Sequence, residues 1–123
     1  MLLALENPDF RYILRGTGPD RVLVNDGALT RSFILSPQEL LEDWPPRTIG
    51  ELEAGHVDAI LALAPSLVLL GSGQRHQFPS AEVMAACLTR GIGIEVMDNA
   101  AAARTFNVLA TEGRKVVAAF LLG

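Results

Sequence analysis

The residues best placed to do chemistry form the loop Gly71-Ser72-Gly73-Gln74-Arg75-His76. This loop follows an apolar run and precedes a helical pattern, and Asp98 comes directly after the next apolar run. A glycine-rich turn with an acid further along the chain is the pattern that binds a dinucleotide. His76, however, stands where that fingerprint has its third glycine, and residues 77–79 lengthen the loop. A pyrophosphate needs a helix N-terminus directly after the tight turn, so the pattern disfavours a dinucleotide.

A small-anion site at the same loop remains open. Arg75 and His76, together with a strand end and a helix N-terminus, could bind phosphate or a carboxylate, because orphan N–H groups favour negative charge. The structural alternative is that Gly71 and Gly73 only let the chain leave the sheet abruptly.

A polar stripe on a later predicted helix is the second candidate. Arg104, Asn107 and Thr111 recur at i, i+3 and i+7, on the side away from Phe106. The stripe could be a solvated face, or Asn107, a poor mid-helix residue, could hydrogen-bond a neighbouring loop such as residues 71–76. We favour that structural role over catalysis. As a ligand site, the two regions together would use Gly71, Gly73, Arg75, His76, Arg104 and Asn107.

No activated nucleophile is recognisable in the sequence. Ser72 lies in a G-S-G context, which lacks the G-x-S-x-G spacing of a nucleophile elbow. Cys87, the one cysteine, stands among apolar residues and indicates a small buried hydrophobe. His56 and His76 are separated by a predicted helix and strand, and neither has an identifiable acid to orient it. We therefore expect a non-enzyme with no catalytic residue, no metal and no cofactor.

Composition narrows the class of protein. The chain has 123 residues, 50% hydrophobic and 20% charged, which predicts a single folded domain spanning residues 1–123. Net charge is −4 and the arginines are dispersed, so nucleic-acid binding is not expected. The apolar runs are shorter than a membrane span and the first residues lack a signal-peptide pattern. We expect a cytoplasmic protein without membrane insertion.

Periodicity places the elements. A hairpin is predicted from residues 10–14 and 21–24, and Trp44 is expected to cover the open sheet face within a loop over 37–50. The further predictions are a strand over 28–35, a helix over 51–64 that Gly55 could divide into two short helices, a strand over 67–70, a helix over 79–90, a strand over 93–97, a helix to Thr111 capped by Asp98 or Asn99, and a strand over 115–122. The helix over 79–90 is expected to bury Val83, Met84, Cys87 and Leu88, and the last helix to bury Ala102, Phe106, Leu109 and Ala110. The order predicts an α/β fold with helices on both sides of a sheet and the N-terminal hairpin as an accessory layer.

Four segments carry a resemblance to a known family: Arg31–Pro37, Pro65–Gly73, Gly91–Asp98, and Ala101–Leu109 with Glu112-Gly113-Arg114. The chain resembles the domain-of-unknown-function family that includes mitochondrial complex I (NADH:ubiquinone oxidoreductase) assembly factor 3 and an adipogenesis-associated cytosolic protein. It departs from that family's usual residues at Ser72, Asn99 and Ala103.

The resemblance implies a three-layer α/β fold with a mixed central sheet of about five strands. It implies no enzymatic activity, cofactor or catalytic residue. The chain is expected to be an uncharacterised bacterial member of the family. Because mitochondrial members act by binding other proteins, our first hypothesis is a non-enzymatic, assembly-factor-like module with a protein partner. The second is a small-anion or small-ligand binding protein that uses the 71–76 loop and the 99–111 helix.

Overall fold

The computed structural model describes residues 11–123, which fold around a five-stranded mixed sheet. Single 3-10 turns at Ile49–Glu51 and Ala54–His56 precede the first α-helix. The elements in chain order are β1 Leu14–Gly18, β2 Arg21–Val24, β3 Gly27–Leu29, β4 Phe33–Leu35, β5 Leu40–Leu41, α1 Val57–Leu61, β6 Leu67–Gly71, α2 Ala81–Leu88, β7 Gly93–Met97, α3 Asn99–Thr111 and β8 Val116–Phe120.

The central sheet has the strand order β5-β4-β8-β6-β7. Strands β6, β7 and β8 are parallel, whereas β4 runs antiparallel to both β5 and β8. The predicted parallel pairing of the strands at 67–70 and 93–97 is confirmed. The carboxyl ends of the three parallel strands therefore lie at one edge of the sheet.

The second layer is a small antiparallel sheet of order β1-β2-β3. The predicted N-terminal β layer is confirmed, but its first strand is placed too early. Residues 14–18 form β1 and the turn lies at Pro19–Asp20. Gly16 and Gly18, which the prediction leaves in the turn, therefore belong to the strand. The prediction at Phe10 lies outside the described residues.

Two hydrophobic cores lie on the two faces of the central sheet. Alternation along β6 divides its apolar run, since Leu69 joins one core while Val68 and Leu70 join the other. One core contains Phe106 of α3 and residues of the small sheet, and the other packs against α1 and α2. The predicted three-layer α/β architecture is confirmed, and the apolar run is explained by burial on both faces.

Helix α3 begins and ends as the sequence predicts. The Asp98 carboxylate accepts a hydrogen bond from the Ala101 N–H at 2.8 Å and so caps the helix. Gly113 ends it with φ of 78°, a conformation that glycine adopts without strain. Of the expected inner residues, Ala102, Phe106 and Ala110 are buried, whereas Leu109 is half-buried at the edge of the core.

The strand predicted over 28–35 is wrong as one element. The segment is two strands, β3 in the small sheet and β4 in the central sheet. Ser32 lies between them, and its hydroxyl accepts the Leu122 N–H at 2.9 Å and lies 3.2 Å from the Leu122 carbonyl. These bonds tie the crossing point between the two layers to the end of β8, so a single continuous strand cannot form.

The helices over 51–64 and 79–90 are shorter than predicted. Leu52 is extended, so the first region breaks into 3-10 turns and a five-residue α1. Helix α2 spans eight residues and begins after the Ser80 N-cap. Leu88 is 56% exposed, which corrects the expectation that it is buried, because the helix packs through Val83 and Cys87 on its other side.

Trp44 is buried, as predicted for a cover over the sheet face. Its indole N–H donates to the His56 carbonyl at 3.1 Å. Among the helices of residues 11–123, none has the length and apolar character needed to cross a bilayer.

Candidate functional site

A cleft of about 360 Å³ lies at the carboxyl edge of the parallel strands. In open α/β sheets, ligands bind in the crevice outside these strand ends. We call this the carboxyl-edge cleft. Its lining residues come from the loop after β6, the start of α3, the turn after β1, the segment after Trp44 and the segment after β8, and they are Pro19, Arg47, Thr48, Ile49, Ser72, Gly73, Gln74, Arg75, Gln77, Asn99 and Gly123.

Ser72 fixes the shape of the loop after β6. Its hydroxyl accepts the Gln77 N–H at 3.1 Å and lies 2.6 Å from the Arg75 carbonyl. Its own N–H donates to the Met97 carbonyl at 2.8 Å, which ties the loop to the end of β7. The Ser72 hydroxyl thus holds the backbone of the loop in place.

Asn99 joins the three strand ends beneath the cleft. This residue is 6% exposed, and its amide oxygen accepts the Gly73 N–H at 3.1 Å. The amide NH₂ donates to the Leu121 carbonyl at 3.0 Å, beyond the end of β8. Every polar atom of the side chain has a clear structural partner, so the amide stabilises the floor of the cleft. Sequence reasoning named Asn99 only as a cap and missed this role.

Gly71 lies beneath the cleft and is not one of its lining residues. A Cβ atom built at Gly71 would collide with the Asn99 amide oxygen and approach the Phe120 ring to 3.0 Å. The glycine is needed because the backbone of β6 and the Asn99 amide come together closely here. This supports the structural alternative for Gly71 over a ligand contact.

Arg47 and Arg75 supply the positive charge in the carboxyl-edge cleft. Both residues are exposed and both line it. Within the described part of the chain, neither guanidinium forms an ion pair. Their donors therefore face solvent and can bind a carboxylate or phosphate with bidentate geometry. Arg47 was missed because it follows Trp44 by three residues in a loop whose route to this edge only the tertiary fold reveals.

The six residues predicted as one ligand site do not form one pocket. Gly73 and Arg75 line the carboxyl-edge cleft, whereas Arg104 and Asn107 line a separate depression of about 160 Å³ between β1 and α3. His76 instead packs against Phe78, with ring centroids 4.7 Å apart. The 71–76 loop and the Arg104 face of α3 therefore line different depressions, and a ligand that contacts both regions stays a prediction.

Asn107 makes a structural contact, as favoured from the sequence, but with a different partner. Its amide oxygen accepts the Leu14 N–H at 2.9 Å and its NH₂ donates to the Leu14 carbonyl at 2.6 Å. The contact joins α3 to strand β1, not to the 71–76 turn. Sequence periodicity identified a mid-helix amide that needs a partner, but could not identify which backbone lies beside it.

The geometry also argues against a dinucleotide at the glycine loop. Helix α2 begins only at Ala81, so no helix N-terminus directly follows the turn at Gly71–Gly73. The Asp98 carboxylate, the candidate ribose acid, is occupied with the N–H of Ala101.

The other titratable candidates have structural contacts. The Nδ1 atom of His56 accepts the Glu53 N–H at 3.0 Å. Burial raises the pKa of the Cys87 thiol, although nearby Arg90 acts in the opposite direction. Among residues 11–123, no group of histidine, cysteine and carboxylate side chains has the arrangement of a metal site.

A protein family of unknown function, DUF498/DUF598, matches residues 14–121. The chain belongs to this family. The resemblance of the four motif segments to a family of unknown function is therefore confirmed. A curated relative from Francisella tularensis, "13 kDa major membrane protein", is 30% identical over 97 residues, or 78% of this chain and 79% of the relative.

Solved structures share the same fold. A Xanthomonas campestris protein determined by NMR is 55% identical, with all of this chain and 93% of the other covered and a TM-score of 0.85. A Bordetella pertussis protein described as a Mth938-like domain is 25% identical, covering 99% and 92% of the two chains with a TM-score of 0.80. These bacterial relatives have the same α/β architecture as the present chain.

Proposed function

We propose that the protein is a non-enzymatic, assembly-factor-like interaction module that binds a protein partner at the carboxyl-edge cleft. The observation that carries the proposal is the pair Arg47 and Arg75, exposed in an open cleft and without an ion pair in residues 11–123. Exposed arginines are enriched at protein interfaces, where complementary charge directs encounter and fixes register.

The floor of the cleft supports binding rather than reaction. Ser72 and Asn99 use their polar atoms to hold the loop, β7 and the end of β8 together. A rigid floor lowers the entropic cost of ordering a binding surface on association. The two arginines can then engage a partner without a rearrangement of the backbone beneath them.

Binding to a protein partner is also compatible with the name given to the Francisella relative. That relative is called a membrane protein. In our proposal the present chain is cytoplasmic and reaches a membrane-associated complex through its partner, without inserting into the bilayer.

The alternative function is binding of a small anion. The volume of about 360 Å³ and the paired guanidinium groups favour it, since ligand pockets commonly begin near ~300 Å³. A free phosphate or small carboxylate would use the same Arg47 and Arg75 donors. The experiment must therefore separate a macromolecular partner from a small ligand.

Site-specific photocrosslinking in host cells makes that separation. We place p-benzoylphenylalanine at Gln77, which is exposed and lines the cleft, and in a control at Glu112, beyond the opposite end of α3. The proposal predicts a discrete protein adduct from position 77 that is absent from position 112. No adduct at position 77, together with a small anion retained in native mass spectrometry, would favour the alternative.

A further inference from the structure

Three depressions lie side by side and share lining residues. The Gln74 side-chain NH₂ donates to the Pro19 carbonyl at 2.9 Å and bridges the first two of them. The carboxyl-edge cleft shares Pro19, Gly73, Gln74 and Asn99 with a depression of about 300 Å³. That depression in turn shares Thr17 and Ala100 with the depression between β1 and α3. We call the combined feature the edge groove.

We infer that the edge groove binds an extended acidic segment of a partner protein along its whole length. The inference rests on the proposed function and adds the partner's chemistry. Arg47 and Arg75 lie at one end of the groove, and Arg15 and Arg104 line its other end. An extended chain is the form of ligand that can engage both pairs.

Charge in the groove is opposite to that of the molecule. The chain has a net charge of −4. The side chains lining the three depressions include four arginines and one carboxylate, Asp98, whose oxygen is held by the N–H of Ala101. A local positive stripe on an acidic protein attracts carboxylates to the groove and repels them elsewhere.

The backbone of β1 offers a second recognition element. Strand β1 is an edge of the small sheet, and Leu14 already directs its N–H and C=O outward to Asn107. Gly18 pairs with Arg21 across the two-residue turn and Thr17 pairs with Val22. Because hydrogen-bonded and non-bonded pairs alternate, the N–H and C=O of Thr17 point away from β2. Helix α3 covers the β1 edge at Leu14, so a peptide in the groove can hydrogen-bond to the Thr17 backbone but cannot extend the sheet along all of β1.

The lining argues against a nucleic acid as the occupant. Single-stranded nucleic acids are held by aromatic side chains on which bases stack. The residues that line the three depressions include no aromatic residue. The two arginine pairs match a chain that carries carboxylates.

Fluorescence anisotropy with a labelled peptide of alternating glutamate and serine tests the inference on the full chain. The matched peptide replaces glutamate by glutamine. We expect the acidic peptide to bind, and each double variant, Arg15→Gln with Arg104→Gln or Arg47→Gln with Arg75→Gln, to bind it about tenfold more weakly. Arg90→Gln, at an exposed arginine beyond the C-terminus of α2 that lines none of the three depressions, should leave the affinity unchanged.

Several outcomes would overturn the inference. These are equal binding of the glutamine peptide, an unchanged affinity in either double variant, or tighter binding of polyuridine. The photocrosslinking experiment distinguishes failure of the edge-groove inference from failure of the proposed function. An adduct from position 77 that survives Arg15→Gln with Arg104→Gln would refute the extended groove and retain the interaction module, whereas no protein adduct at all would refute the module itself.

Discussion

Asn99 and Gly73 hydrogen-bond to each other twice, through both backbone groups of the glycine. The Asn99 N–H donates to the Gly73 carbonyl at 2.8 Å, and the Asn99 amide oxygen accepts the Gly73 N–H at 3.1 Å. This reciprocal pair holds the loop after β6 against the first turn of α3. The floor of the carboxyl-edge cleft depends on one buried amide.

Replacement of that amide should destabilise the fold. Asn99→Ala leaves the Gly73 N–H and the Leu121 carbonyl without their partner, at a cost of about 1–3 kcal/mol in the free energy of unfolding. Urea denaturation measures the loss. Gln77→Ala, at an exposed cleft residue, is the control and should change the free energy of unfolding by less than about 0.5 kcal/mol. Equal stability of the two variants would show that the Asn99 amide does not support the floor.

A methyl group at Gly71 should disturb the same contact. Gly71→Ala forces the Asn99 amide or the Phe120 ring to move, which costs about 1–3 kcal/mol. Gly55→Ala is the matched control, because nothing lies within 4 Å of a Cβ there. Thermal unfolding of the two variants provides the comparison. A melting temperature for Gly71→Ala as high as that of Gly55→Ala would contradict the close approach.

The bond between Asn107 and Leu14 should hold β1 to α3. Asn107→Ala removes an acceptor and a donor from the Leu14 backbone, so we expect a loss of about 1–2 kcal/mol. Hydrogen exchange gives a local readout, because the Leu14 amide should lose protection while the amides of β6 keep theirs. Unchanged protection at Leu14 would place the stabilisation of β1 elsewhere.

Buried Cys87 should make stability fall at alkaline pH. Burial raises the pKa of the thiol above its ordinary 9.0, so the folded protein resists ionisation. Below that ordinary value both states keep the proton and the contribution is constant. As the pH rises above it, the unfolded state ionises first and the free energy of unfolding decreases.

Urea unfolding across that pH range checks the Cys87 prediction. Cys87→Ala should be less stable overall because it leaves a cavity. It should also show a shallower alkaline decline than the parent protein. If the free energy of unfolding falls with pH equally in Cys87→Ala and in the parent protein, the thiol does not contribute to the alkaline loss of stability.

Local signals were enough to predict the C-terminal half of the fold. Asp98 is a strong cap and the runs at 67–71 and 93–97 have the length of strands, so their positions follow from neighbouring residues. The division of residues 28–35 depends on Ser32 bonding to Leu122, a contact across 90 positions. The pattern of apolar residues within 28–35 carries no information about a contact with Leu122.

The candidate site was predictable only in part for the same reason. Arg75 and Gly73 adjoin a strand end, so the sequence placed them at the sheet edge. Arg47 reaches that edge through a loop after Trp44, and Arg104 is directed to another depression by the packing of α3 against β1. Both placements depend on how layers pack, and that information is distributed along the whole chain.

Charge reversal at the carboxyl-edge cleft is the sharpest test that a partner protein binds there through Arg47 and Arg75. The partner identified by the photocrosslink at position 77 is quantified by co-purification from host cells that carry Arg47→Glu with Arg75→Glu. We expect the double variant to lose this partner, whereas Arg90→Glu, at a residue that does not line the cleft, should retain it. Full recovery of the partner with the double variant would rule out the cleft as its binding surface.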